Sequence, residues 1–237
     1  MQILRQAATF TNPPVVAEIA DGSYVIMDGS NRHSSLQALG FAHILVQVAD
    51  YESDFVELGV WQHIIADWDS QSFLRELEKI DHVTLRQGWD AGAAAQALLR
   101  DGSVHSIHAG VDSLQDRNAA LRQIVESYHR NATLYRTPLT EPDLIWSLFP
   151  SGAAMVMFRQ YQPRDIINAA LEAAYLPPGV SRHIIQGRAL NLNYPMSCLR
   201  SALPLAEKNN QLQDWLREQY ARRSVRFYAE ATYHFDE

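Results

Sequence analysis

Two short apolar runs that lead into a polar, glycine-containing stretch constrain the fold more than any other feature of the sequence. The runs cover residues 15–19 and 23–27, and Ala20, Asp21 and Gly22 between them have the chemistry of a tight turn. The pattern predicts a β-hairpin. A helix-compatible segment at 34–39 then ends at Gly40, a favoured residue just after a helix. An apolar strand over residues 41–49 is predicted to complete this N-terminal unit.

The rest of the chain predicts an α+β fold. Helices are expected at 71–80, 117–129, 163–174 and 207–223. Buried strands are expected at 133–136 and 154–158, further strands at 180–185 and 225–228, and shorter strand-like pieces between 82 and 109. Helices and strands alternate without a regular βαβ rhythm, which favours α+β over a parallel α/β sheet. Because the N-terminal unit ends near residue 68, we expect two domains, 1–68 and 69–237.

Composition and charge exclude several classes of protein. No apolar run approaches the roughly 20 residues of a membrane span, so we expect no membrane association. Cys198 is the single cysteine, which excludes an internal disulfide and predicts a reducing, cytoplasmic location. No Cys/His cluster has the spacing of a zinc site. The net charge of −7 argues against strong nonspecific nucleic-acid binding, although the basic residues at 222–226 leave DNA binding as an open alternative.

The polar stretch after the hairpin has the composition of an anion site. The free N–H groups and the positive dipole end at a helix N-terminus favour a bound anion. Gly29 permits close approach of the backbone, Arg32 offers a permanently charged fork, and Asp28 is a candidate ligand for Mg²⁺. The alternative from local chemistry alone is an ordinary strand-to-helix turn in which Asp28 and Ser30 act as caps.

Residues 24–33 (YVIMDGSNRH), with 35–40 and the strand-like 46–48, resemble the ParB/sulfiredoxin fold. Within that fold the sequence is most similar to the free L-serine kinase family, which includes a serine kinase and transcriptional regulator encoded in a siderophore biosynthesis cluster. Further similar segments, in the same order, lie at 60–63, 160–163, 178–182 and 187–192. The resemblance implies a kinase that uses ATP or ADP with Mg²⁺ to convert free serine to O-phosphoserine. A homodimer is also compatible with the resemblance.

The resemblance also implies roles for individual residues. The nucleotide-phosphate residues would be Asp28, Gly29, Ser30, Asn31, Arg32 and His33, with Asp28 also near Mg²⁺. The residues that bind the serine substrate would be Trp61, Ser181, Arg182 and His183. A core aromatic is the alternative for Trp61, and a surface arginine is the alternative for Arg182. For Arg188 we expect a structural ion pair, with an anion contact as the alternative.

Two departures from the family pattern bear on activity. The family's glutamate base lies in a His-Glu segment upstream of the hairpin, but the twelve residues before Pro13 contain no Asp, Glu or His. Asn31 also stands where the better-known kinases have histidine. We therefore expect either an N-terminal part missing from this chain, with the catalytic base unidentified, or a non-catalytic, ligand-sensing regulator. A sulfiredoxin-type reductase is excluded because residue 31 is not cysteine.

Overall fold

The computed structural model describes residues 2–20, 22–110 and 112–228; Asp21 of the predicted turn lies outside the described residues. The described helices are α1 Gln2–Gln6, α2 Ser30–Ala38, α3 Ser70–Leu77, α4 Leu114–Asn131, α5 Pro142–Leu148, α6 Pro163–Leu171, α7 Met196–Arg200 and α8 Leu205–Ala221. The described strands are β1 Thr9–Phe10, β2 Val15–Ala20, β3 Ser23–Asp28, β4 Gln47–Val48, β5 Val56–Val60, β6 Gln62–Ala66, β7 Val83–Gln87, β8 Ala95–Leu99, β9 Val104–Ala109, β10 Thr133–Thr137, β11 Gly152–Phe158, β12 Ser181–Ile185 and β13 Tyr194–Pro195.

The described residues group into two compact units. Unit 1 contains those up to Val56 together with those from Ile185 onward, and unit 2 is Glu57–Ile184. A compact unit need not be an independently folding domain, so the domain boundary expected near residue 68 stays a prediction.

Unit 1 is built on the predicted hairpin, which is confirmed as β2 and β3 in antiparallel pairing. Strand β4 adds to β2 in parallel, with Val15 opposite Gln47. A second, two-stranded sheet pairs β1 with β13. The hydrophobic core of this unit joins residues from both ends of the chain: Phe10, Leu36, Tyr194, Met196 and Leu199.

Unit 2 contains a six-stranded antiparallel sheet in the order β10-β6-β11-β8-β9-β7. Every residue of β6 and of β8 is buried, because neighbouring strands and covering helices leave neither face to solvent. The amphipathic spacing predicted for α4 is confirmed, since Leu121, Ile124, Val125 and Tyr128 are all buried. Strands β12 and β5 form a separate two-stranded sheet.

The mixture of helices and strands is as predicted, but three local predictions were wrong. Only Gln47–Val48 of the predicted strand 41–49 pairs, because Phe41, Ile44 and Leu45 pack against the core of unit 1 instead. Residues 225–228 form no strand. Strand β10 lies at the edge of its sheet and is mostly exposed, not buried. In the part of the chain that the structure describes, no helix is both long and apolar enough to cross a bilayer.

Candidate functional site

Gly29 connects the hairpin to helix α2, and its φ of 92° and ψ of 22° lie in the left-handed region. A Cβ at this position would lie 2.9 Å from the Cα of Pro14, so both the conformation and the space require glycine. The helix starts at once, and the His33 N–H donates to the Gly29 carbonyl at 2.9 Å. Ser30 and Asn31 are exposed, while Arg32 and His33 are half-buried in the same first turn. The predicted polar loop is therefore mostly the first turn of α2.

This turn leaves backbone donors available to a ligand. No side chain of the described residues caps the helix N-terminus, so the alternative in which Asp28 and Ser30 act as caps is wrong. The N–H groups of the first three helical residues have no intrahelical acceptor, as in every α-helix, and here no side chain of the described residues replaces it. A helix end of this kind attracts anions through those groups and through its dipole.

Asp28, the last residue of β3, joins two arginines. Its Oδ2 accepts a hydrogen bond from Arg32 Nη2 at 2.8 Å and another from Arg188 Nη2. Arg32 Nη1 in turn donates to the Asn12 carbonyl. Two guanidinium groups against one carboxylate leave the cluster with a net charge of +1. The three side chains are 29–40% exposed, so a solvent-borne anion can reach them.

Hydrogen bonds on both sides of Arg188 hold its segment in place. Gln47 donates to the Gly187 carbonyl at 3.0 Å and accepts from the Ala189 N–H at 2.9 Å. The Asn12 side chain accepts from the Asn191 N–H at 2.9 Å. The ion pair expected for Arg188 is confirmed, but its Nε is buried without a hydrogen-bond partner among the described residues. An unsatisfied buried N–H of this kind is a donor that a ligand could use.

The arrangement around Asp28 does not fit a resident Mg²⁺. Magnesium prefers carboxylate and phosphate oxygens, whereas two guanidinium groups already occupy Asp28 and repel a second cation. No group of three metal-ligating side chains occurs among the described residues. Asp28 is therefore not a ligand for a resident metal ion in this arrangement.

In unit 2, Trp61 and Arg182 are brought together. The Arg182 guanidinium lies 4.5 Å from the centre of the Trp61 ring, and the backbone N–H of Trp61 donates to the Val180 carbonyl at 2.8 Å. Stacking on an indole holds an arginine in place while its N–H edge stays available. Ser181 and His183 lie on β12 on either side of Arg182, and successive strand residues face opposite sides. The three residues of this segment therefore do not all line one surface.

A buried histidine, to which the sequence patterns assigned no role, fixes the turn before this strand. His63 is fully buried; its Nε2 donates to the Gly179 carbonyl at 2.7 Å, so its Nδ1 accepts from the Tyr128 hydroxyl at 2.7 Å. Burial lowers the pKa of His63 to about 4 and raises that of Tyr128 well above its ordinary value. The neutral imidazole thus locks the segment that leads to Arg182. Only the similarity of residues 60–63 to the family pointed to this position.

The basic residues at the end of α8 are partly neutralised. Arg222 pairs with Glu218 at 3.3 Å, one turn earlier on the same helix. This pairing lowers the charge available to a nucleic-acid backbone, and DNA binding and homodimerisation both stay predictions.

The sequence as a whole is similar to a curated kinase. It is 24% identical over 229 residues to the ATP-dependent L-serine kinase SbnI of Staphylococcus aureus, covering 94% of this chain and 82% of that protein. No protein-family profile matches the chain.

Solved structures share the fold. A C-terminally truncated SbnI from Staphylococcus aureus superposes with a TM-score of 0.70 at 18% identity, covering 92% of this chain and 86% of the other. A free serine kinase in complex with AMP gives a TM-score of 0.68 at 17% identity, covering 84% of this chain and 83% of the other. The chain therefore has the fold of these proteins, with the Asp28–Arg32–Arg188 cluster and the Trp61–Arg182 pair built into it.

Proposed function

We propose that the protein is a free L-serine kinase, which transfers a phosphoryl group from ATP or ADP to the serine hydroxyl to give O-phosphoserine. The observation that carries this proposal is similarity to an ATP-dependent L-serine kinase along 94% of the chain. The likeness of the fold to a free serine kinase that binds AMP supports it. The ParB/sulfiredoxin label for the N-terminal part belongs to the same proposal.

The first turn of α2 is the proposed phosphate site. The unpaired N–H groups after Gly29, the Arg32 fork and the buried Arg188 Nε are donors to phosphate oxygens, with Asn31 and His33 on the same turn. Phosphoryl transfer depends mainly on position and on neutralising the charge that spreads over those oxygens. Asp28 keeps the two arginines in place, which prepares the site before the nucleotide arrives.

The Trp61–Arg182 pair is the proposed serine site. A guanidinium whose face is covered by an indole presents its N–H edge to a carboxylate, and the carboxylate of a free amino acid is the group to be recognised. His63 and the Gly179 turn hold Arg182 in position. In this proposal Ser181 and His183 contact the substrate less directly than Arg182 does.

The reaction is proposed to be slow in this chain. Asp28 is engaged by two arginines and is a poor acceptor for the serine hydroxyl proton. A positioned general base contributes about 10²- to 10⁴-fold, so a rate lower by that factor than in a kinase with its base is expected.

The test is direct identification of the product. The protein is incubated with L-serine, MgCl₂ and either ATP or ADP, and O-phosphoserine is quantified by mass spectrometry. Serine-dependent product with one nucleotide supports the proposal. Saturable nucleotide binding by calorimetry without any product would instead favour the ligand-sensing regulator.

A further inference from the structure

A charged cavity lies in unit 1, at the opposite end of helix α2 from the proposed phosphate site. It has a volume of about 450 Å³ and is lined by residues that follow α2 and by residues around the end of α7. Helix α2 has nine residues, which places its two ends about 13 Å apart. The cavity is therefore separate from the Asp28–Arg32–Arg188 cluster.

Three cations line this cavity: Arg5, Arg200 and Lys208. Among the described residues none of them forms an ion pair with a carboxylate. Arg200 donates to the carbonyls of Leu4, Arg5 and Ala7, and its guanidinium lies 6.0 Å from the centre of the Phe41 ring, so its partners among the described residues are neutral groups. Such an accumulation of positive charge stands out in a chain whose net charge is −7.

Lys208 is the most informative of the three. It is 8% exposed and is the sole buried side chain of α8, all of whose residues are described. Among the described residues its ammonium group donates one hydrogen bond, to the Leu199 carbonyl at 2.8 Å, although it carries three N–H donors. Lysine is almost never this buried unless a counter-charge compensates it. A single carbonyl at the end of a five-residue helix is weak compensation.

We propose that this cavity binds a small organic anion, with one carboxylate or phosphate head group and a short apolar body. Lys208 and Arg200 would receive the head group, and the side chains of Leu39, Phe41 and Leu199 form the apolar wall. The volume of about 450 Å³ suits a small molecule. The site does not depend on the proposed kinase activity.

The experiment uses phenyl phosphate as the probe and phenol as its uncharged counterpart. Isothermal titration is performed on the Arg32→Gln protein, so that binding at the first turn of α2 is weakened. Phenyl phosphate is expected to bind, and phenol is not. Adding Lys208→Gln is expected to weaken binding by about tenfold or more, because a charge-assisted hydrogen bond is lost. Lys79→Gln is the matched control, since Lys79 is the only other lysine and is exposed.

A second variant keeps the proposal testable if Lys208→Gln does not fold. Ala202→Glu changes an exposed residue of the same cavity and places a negative charge there. It is expected to abolish phenyl phosphate binding without lowering the unfolding temperature. The proposal would be overturned if neither Lys208→Gln nor Ala202→Glu changed the affinity for phenyl phosphate. A complete loss of phenyl phosphate binding from Arg32→Gln alone would also overturn it. If Lys208 serves only as a cap for α7, Lys208→Gln lowers stability and leaves affinity as it was, which also overturns the proposal.

Discussion

Asp28 and Arg188, 160 residues apart in the chain, are joined through the same carboxylate oxygen that binds Arg32. The pair ties the C-terminal segment of unit 1 to the end of the hairpin. It turns the start of helix α2 into a preorganised cationic cluster instead of an ordinary turn. The expected consequences can be measured residue by residue.

Asp28→Asn separates an organising role from a metal-binding role. The amide oxygen still accepts a hydrogen bond, but the negative charge that holds both arginines is lost. We expect AMP, measured by calorimetry without Mg²⁺, to bind less tightly than to the wild type, because the two guanidinium groups are no longer held in place. Stability is expected to fall by about 1 kcal/mol, as for a lost charged hydrogen bond. Asp214→Asn, in an exposed pair, is the control. Unchanged AMP affinity without Mg²⁺ in Asp28→Asn would contradict the organising role.

Gly29→Ala is expected to destabilise the protein by about 2 kcal/mol or more. The left-handed backbone alone costs a non-glycine residue about 1–2 kcal/mol, and the new Cβ would collide with Pro14. Gly40→Ala is the matched control, because Gly40 has a φ of 76° and an added Cβ there would have nothing within 4 Å. Urea unfolding measures both. Equal losses for the two variants would show that the contact with Pro14 has no effect.

His63 is expected to make stability depend on pH between about 6.5 and 4. Because its folded pKa is lowered, the unfolded chain binds more protons in this window, and stability falls as the pH falls. The difference between 6.5 and about 4 corresponds to about 3 kcal/mol. Urea unfolding of wild type and His63→Gln from pH 7.5 to 4 should show a flatter dependence in the variant. An NMR titration of the wild-type His63 ring checks the pKa itself; a value near 6.5 would refute the account.

Arg182→Lys probes the proposed serine site. Lysine keeps the charge but loses the planar fork and the stacking on Trp61. We expect the KM for serine to rise about tenfold while the nucleotide KM stays constant, with stability within about 1 kcal/mol of wild type. Arg159→Lys is the matched control, since Arg159 stacks on Tyr161 at 4.9 Å. If Arg182→Lys and Arg159→Lys change the serine KM equally, Arg182 is not part of the serine site.

Local patterns in the sequence predicted the hairpin, helix α2 and the buried stripe of α4, because each depends on near neighbours and on the period of apolar residues. They did not predict that α2 begins immediately after Gly29. The left-handed glycine lets the chain turn in one residue, which converts an expected loop into helix. The strand predicted over 41–49 failed for a related reason. Its apolar residues Phe41, Ile44 and Leu45 pack against the core without forming a strand, and local pattern does not distinguish the two cases.

The sequence alone did not predict which distant parts of the chain contact each other. Arg188 was expected to form an ion pair, but Asp28 could not be identified as its partner across 160 positions. His63 has no neighbour in sequence that reveals its hydrogen bonds to Tyr128 and Gly179. Lys208 resembles any other charged residue on an amphipathic helix until its burial is known.

The central claim is that the first turn of α2, through Arg32, delivers a phosphoryl group to serine. The direct measurement is the rate of O-phosphoserine formation by wild type, Arg32→Gln and Arg130→Gln. Arg130 also forms an i,i+4 pair, with Glu126, but on an exposed face of α4. The account predicts serine-dependent product from wild type and Arg130→Gln, and a loss of about 10²-fold or more in Arg32→Gln. Equal rates in Arg32→Gln and wild type, or no product with either ATP or ADP, would contradict it.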